Sequence, residues 1–299
     1  RVVMKQKAKP LREKLFIIGM LAIPVLHFLV FWVYVNFNSI LMAFQRNGID
    51  GQPYWTFFWF QTLWSELFTK GSTLLTALKN TMIYFGCNIL VVLPVSLLLC
   101  YFLYKRIRGY KIFRVIFYLP SIISASIMVV LFKYIIAIDG PLGMLITKVF
   151  KGEYPQLLAD SRYAMKTIVF YVISFGLGGN IVLLSGAMGH IDESIIEAGR
   201  IDGVNMFTEI TRIVIPLVWP TLSTLILFAF VGLFGASGPI LLFTEGDWGT
   251  TTISYWIYER VYFGQTYNYP AAIGLVFTLI GAPITLTLRH FMNKNEVEV

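Results

Sequence analysis

Charge is scarce in this chain. Of its 299 residues only 13% are charged while 57% are hydrophobic, and the mean hydropathy is +0.71, a balance outside the range of ordinary soluble domains. Cysteine is limited to Cys87 and Cys100. Along one helix they would lie about 20 Å apart, so they cannot bridge within it and read as small buried apolar residues. Histidine is limited to His27, His190 and His290, and the sequence holds no G-x-x-x-x-G-K-[ST], H-E-x-x-H or C-x-x-C pattern. Without these the chain lacks the usual means of cradling ATP phosphates or a catalytic metal. Acidic residues are nearly missing from the apolar runs, which argues against a proton- or sodium-coupled carrier. No repeat, low-complexity tract or linker sets off a soluble part, so residues 1–299 read as a single transmembrane domain.

What the chain has instead is a series of long uncharged runs. Six reach the roughly 17 to 25 residues that a spanning helix needs: 15–35, 81–104, 115–132, 167–188, 213–244 and 269–288. The expected fold is all-α, a polytopic membrane protein of six transmembrane helices. The first run exceeds the length of a secretory signal core and no small-x-small site follows it, so it reads as a retained anchor. The net charge of +8 follows the membrane rather than nucleic acid. Lys and Arg concentrate at Arg1, Lys5, Lys7, Lys9, Arg12 and Lys14, and again at Lys105, Arg106, Arg108, Lys111 and Arg114. The positive-inside bias then sets both termini in the cytoplasm. The outside loops would be 45–72, 133–166 and 245–260. The first of them carries "QPYWTFFWFQTLWSELF", whose aromatics suit the membrane interface.

Polar and helix-breaking residues interrupt several runs: Pro24 and His27, Asn88 and Pro94, Pro120 and Ser124, and Asn180 within "GLGGN". Such groups mark substrate paths in membrane proteins, although amides, hydroxyls and glycines also join helices to one another.

The fourth and fifth runs are separated by "IDESIIEAGRIDGVNMFTEITRIVIP". Five acidic residues, Asp192, Glu193, Glu197, Asp202 and Glu209, stand there against Arg200 and Arg212, which would not favour an anionic lipid surface. At 100° per residue Glu193, Glu197 and Arg200 share one side of a short helix, with Ile191, Ile195, Ala198 and Ile201 on the other. Gly203 can end that helix in backbone angles closed to other residues. A second helical stretch follows over 206–214, and Pro216 suits the first turn of the fifth span. The geometry predicts a polar face presented to a cytoplasmic protein.

The spacing Glu197-Ala198-Gly199, then Gly203, then Ile213-x-Ile215-Pro216 resembles the EAA signature of binding-protein-dependent ABC importer permeases of the type I fold. Gly199 stands for the second alanine of the pattern and Ile215 for its leucine. "ALKNTMIYFG", "FRVIFYLPSIIS" and "TTTISYWIYERVYFG" are similar to segments of the carbohydrate-uptake subfamily. The tail "RHFMNKNEVEV" differs from the glycine- and alanine-containing tail of the second permease in such pairs, so the chain reads as the first permease of a heterodimer. The resemblance implies a cytoplasmic EAA coupling loop at 190–216, with Glu197, Ala198, Gly199, Asp202, Gly203 and Pro216 at the surface that docks an ATPase. It implies no cofactor in this chain, ATP and Mg being held by a separate ATP-binding subunit dimer. The remaining partners are a second permease subunit, an extracellular solute-binding protein, a sugar or oligosaccharide and the lipid bilayer of a bacterial-type cell membrane, with no nucleic acid. Asn88, Ser124, Asn180 and Tyr255 are then the candidates for the substrate path, since amides and aromatic rings suit a neutral sugar. The alternatives are a permease of the same type for an amino acid or an anion, and an ion-coupled secondary transporter.

Overall fold

The computed structural model describes residues 11–48, 50–149, 153–235 and 239–293. The basic residues of the first ten positions, and 294–299 of the tail, lie outside them. Six helices are long and apolar enough to cross a membrane: Arg12–Ala43, Thr73–Tyr104, Ala125–Val149, Ala164–Met188, Met206–Val231 and Asn268–Met292. They are called spans 1 to 6 below. The chain divides into two compact units, residues 1–63 with 265–275, and residues 64–264 with 276–299.

In the first unit the end of span 1 runs into a small antiparallel hairpin, Gln45–Asn47 paired with Pro53–Trp55. It is the one strand pair among the described residues and an addition to the all-helical expectation. The aromatic segment of this loop forms the helix Phe58–Phe68. Arg46 lies 3.9 Å over the Phe58 ring, and the Trp59 indole N–H donates to the Gln45 carbonyl at 2.7 Å. Asn268, at the start of span 6, donates to the Met42 and Gln45 carbonyls at 3.0 and 2.8 Å. These donors satisfy carbonyls where the first helix stops, a place that otherwise leaves them open.

The second unit is built on spans 2, 4 and 5. Leu93, Leu97, Cys100 and Tyr101 pack with Leu184, Met188, Val214, Val218 and Leu222 in its largest apolar cluster. Cys100 is buried as expected, its sulfur 3.1 Å from the Ser185 hydroxyl, whereas Cys87 is only half-buried. Two prolines are accommodated in the same way. Ahead of Pro94 the helix widens into a π-turn over Asn88–Val92, and ahead of Pro216 into another over Ile210–Val214. The Leu93 N–H reaches back to the Asn88 carbonyl and the Ile215 N–H to that of Ile210. Each wider turn makes room where a proline ring would press on the preceding carbonyl. Pro216 therefore lies inside a helix that has already run from Met206, rather than in the first turn of the span. The apolar run 213–244 likewise ends as a span at Val231.

The third apolar run departs from expectation too. Residues 115–132 do not form one helix: Tyr110–Ile122 ends at Ile123, whose ψ is 142°, and Ala125–Ile136 begins after Ser124. Pro120 cannot donate within the closing turn of the first helix. Span 4 crosses Tyr110–Ile122 closely at Gly178. A β-carbon there would sit 2.9 Å from the Ser121 β-carbon and 3.0 Å from the Phe117 carbonyl oxygen. Gly178→Val should therefore force the two helices apart and destabilise the protein by about 1–3 kcal/mol, the range for overpacked cores. Thermal unfolding of the purified, lipid-reconstituted protein measures it, and Gly179→Val, where an added β-carbon meets open space, is the control.

Candidate functional sites

The loop between spans 4 and 5 is a capped helix–turn–helix. Asp192 opens the helix Glu193–Ile201 by accepting from the Ser194 N–H at 3.0 Å, and this bond holds the Asp192 carboxyl below its usual range. The helix closes on Gly203 at φ 73°. The Gly203 N–H bonds the Arg200 carbonyl and the Val204 N–H that of Gly199, at 3.1 and 3.0 Å. This is the Schellman arrangement, which needs a left-handed residue after the helix. Asn205 then caps the next helix by accepting from the Thr208 N–H at 2.9 Å.

The buried side of this short helix is not the one that helical spacing suggested. Ile196 and Gly199 face inward, while Ile195, Ala198 and Ile201 are exposed together with Glu197 and Arg200. Ile201 is 87% exposed and, past the turn, Phe207 is 77% exposed. The uncovered face is thus mixed, apolar side chains set among charges, rather than polar. Gly199 explains its own departure from alanine: a β-carbon there would lie 3.0 Å from the tip of Ile213. Asp202 and Gly203 sit exposed at the turn, and Pro216 is half-buried beyond the π-turn.

One member of the acidic set belongs to the interior. Glu209 is buried and paired with Lys105, the residue that ends span 2. The Lys105 ammonium also lies 5.5 Å from the Tyr101 ring centre. The pair ties the entry of span 5 to the end of span 2. Nothing in the local sequence signals it, because the partners lie on different spans.

Among the substrate-path candidates, Asn88 and Asn180 come together. Both line a cavity of about 490 Å³ between spans 2, 4 and 5, with Thr81, Tyr84, Phe228 and Gly232 also in its wall. Among the described residues no charged one lines it. The buried Tyr84 hydroxyl has no hydrogen-bond partner among the described residues, a costly state for a buried polar atom. Ser124 and Tyr255 lie elsewhere. Ser124 is exposed at the break before Ala125. Tyr255 is buried in the helix Ile253–Tyr262 beyond span 5; its hydroxyl donates to the Glu245 carbonyl at 2.8 Å, and burial pushes that hydroxyl's pKa up. Tyr84 and Thr81 were not singled out from the sequence; their place on the helix face bearing Asn88 was the available signal. Among the described residues no group of three His, Cys, Asp or Glu gathers to hold a metal.

Residues 98–295 match the family model described as the binding-protein-dependent transport system inner membrane component. The chain is 27% identical over 216 residues to the lactose transport system permease protein LacF of Rhizobium radiobacter, covering 70% of this chain and 72% of that one. It is 26% identical over 272 residues to the arabinooligosaccharides transport system permease protein AraP of Bacillus subtilis (strain 168), covering 88% and 83%. Its fold matches, with a TM-score of 0.81 at 22% identity, a chain from the crystal structure of a bacterial ABC transporter involved in the import of the acidic polysaccharide alginate, covering 95% and 96%.

Lys105→Ala should destabilise the protein by about 3–5 kcal/mol, because it strands a buried carboxylate, while the double change Lys105→Met with Glu209→Leu should recover most of that loss. Unfolding midpoints of the three proteins in lipid nanodiscs measure it.

Proposed function

Because the chain belongs to the binding-protein-dependent transport system inner membrane components, a family whose members work beside a solute receptor, we propose that it is a permease subunit that imports a sugar or oligosaccharide, with ATP hydrolysed on a separate subunit. Sugar is favoured by the names of its relatives and by a cavity whose wall offers amides, hydroxyls and aromatic rings but no charge. Such a wall hydrogen-bonds and stacks against a neutral ring without paying to desolvate an ion.

The observation that carries the reading is the uncovered face of the helix Glu193–Ile201 and its continuation at Phe207. Exposed Ile201 and Phe207 beside Glu197 and Arg200 are the composition of a protein contact, apolar anchors within a polar rim. In this proposal an ATP-binding subunit receives that face, and ATP with Mg belongs to it. A second permease completes the pathway, and an extracellular solute-binding protein delivers the sugar. Both termini then lie in the cytoplasm, in line with the basic residues that flank the inner ends of the spans. Movement at the docked face reaches span 5 through Gly199 against Ile213, and span 2 through Glu209 and Lys105. Binding protein and ATP drive import to the extent that each favours the outward-facing state.

Gly203→Val forces a β-branched residue into the left-handed turn, at a cost of about 1–3 kcal/mol, and Glu197→Lys reverses a charge on the docked face. Both variants should insert normally but lose stimulation of ATP hydrolysis by the solute-binding protein, and with it sugar uptake. Wild-type stimulation and uptake in both would remove the docking role.

A further inference from the structure

Span 2 closes on a left-handed turn that has no glycine. The Arg106 N–H bonds the Leu103 carbonyl and the Ile107 N–H that of Phe102, at 3.2 and 3.4 Å, the same pairing that ends the helix Glu193–Ile201 on Gly203. Here the left-handed position belongs to Arg106, at φ 52°. Glycine takes such angles freely, whereas a residue with a β-carbon is strained in them. Strained residues of this kind gather at ligand clamps, and the Arg106 side chain does reach a cavity.

That cavity holds about 310 Å³. One wall is the end of span 2 with the helix Tyr110–Ile122, bearing Lys105, Arg106 and Arg114; the other is the helix Glu193–Ile201, bearing Glu193, Glu197 and Arg200. Lys105 is taken by the buried Glu209. Arg106, Arg114 and Arg200 form no ion pair among the described residues. Arg114 lies 5.8 Å from the Tyr110 ring centre. With Glu209 included, four cations meet three carboxylates, so the surroundings keep one positive charge. The planar fork of arginine matches the oxygens of a phosphate group, and carboxylates accept from hydroxyls. A molecule carrying a phosphate at one end and hydroxyls at the other fits both walls.

The same wall indicates that this molecule comes from water rather than from the bilayer. On the helix Tyr110–Ile122 the exposed apolar residues are Ile112, Val115, Ile116 and Leu119. At 100° per residue they stand on the opposite side of the helix from Arg114, so the cavity opens away from the surface that suits lipid chains. Its far wall is the loop helix, which lies beyond the end of span 4.

We infer that this cavity binds a small, water-soluble, hydroxyl-rich phosphate ester, with the phosphate on Arg106 and Arg114 and the hydroxyls on Glu193 and Glu197. Bonded to both walls, the ester ties the helix Glu193–Ile201 to the end of span 2. It thereby opposes the displacement through which a docked ATPase would act. This last consequence rests on the importer reading above; the binding site itself does not.

The probe is glucose 6-phosphate, with glucose and inorganic phosphate as partial ligands. It is titrated by equilibrium dialysis against the full chain, with its co-purifying subunits, in phosphatidylcholine nanodiscs. Saturable binding should appear for the ester and be weaker for either part. Arg106→Gly relaxes the turn and should leave the unfolding midpoint without ligand unchanged or raised, yet weaken binding by at least about tenfold, the loss of one charge-assisted hydrogen bond. Arg114→Ala should do the same, while Arg108→Ala, an exposed cation off the cavity, should change nothing. Equal binding in wild type and Arg106→Gly overturns the site, and so does a loss as large in Arg108→Ala, which would mean diffuse attraction. Displacement of the ester by phosphatidylglycerol placed in the nanodisc, in wild type but not in Arg106→Gly, would assign the arginines to lipid and overturn the soluble ligand. In the complete transporter the ester should abolish most receptor-stimulated ATP hydrolysis in wild type and not in Arg106→Gly. Full stimulation at saturating ester overturns the opposing role. A complex with no stimulated hydrolysis at all removes the importer reading instead and leaves the binding result standing.

Discussion

Backbone polar groups inside a bilayer must find partners within the protein, because the hydrocarbon offers none. Much of the architecture follows from how this chain meets that demand where its helices are interrupted. Pro94 and Pro216 each withdraw a donor from a spanning helix, and each is preceded by a π-turn whose longer bond keeps the ladder closed. The first of these turns begins at Asn88, which lines the cavity between spans 2, 4 and 5. The second follows the short helix Met206–Glu209 beyond the Gly203 turn and holds Ile213, the residue that meets Gly199. The same backbone device thus occurs next to the proposed solute path and next to the proposed entry point of mechanical work. π-turns often mark such places.

The proposed coupling loop is held to the spans by close contacts. Gly199 brings the helix Glu193–Ile201 so close to Ile213 that an added β-carbon would press on the tip of that side chain at 3.0 Å, and close-packed interiors pass strain on. The Glu209–Lys105 pair adds a tie to span 2. In an interior such a pair is poor evidence for added stability, but it fixes which helix ends move together. In the proposed importer, where energy enters through a separate ATP-binding subunit, that correspondence would carry movement from the docked face into the spans.

Hydrophobic runs made the spans legible, because a membrane demands length and apolarity before anything else. The same criterion misjudged the third run, since apolarity is blind to the break at Ile123 and Ser124. It also carried the fifth run past its end at Val231. The capping of the coupling loop could be read from Gly203, because a left-handed turn narrows the choice of residue. The face that loop buries could not. Helical spacing sorts side chains into sides but does not say which side is covered, and here Ile201 and Phe207 are left exposed. Glu209 looked like one more surface acid because its partner lies on a distant part of the chain. Asn88 and Asn180 were found as polar residues in apolar helices and do share a cavity. Tyr255, chosen for its ring, proved to be a support for the loop beside it.

The difference between Tyr84 and Tyr255 shows why residue type alone does not locate a solute path. Both are buried tyrosines in the second unit. The Tyr255 hydroxyl is spent on the Glu245 carbonyl, so its polar capacity is used up within the fold. The Tyr84 hydroxyl lies in a cavity wall and has no partner among the described residues. Asn88 and Asn180 share that wall, and neither amide is engaged by a hydrogen bond among the described residues. Asn88 is exposed on the cavity and Asn180 half-buried, so their amides stay open to a partner, while the buried Tyr84 hydroxyl lacks one among the described residues, which is the costly state. A solute rich in hydroxyl groups supplies donors and acceptors at once, and it can leave as readily as it arrives because each contact is neutral and individually weak.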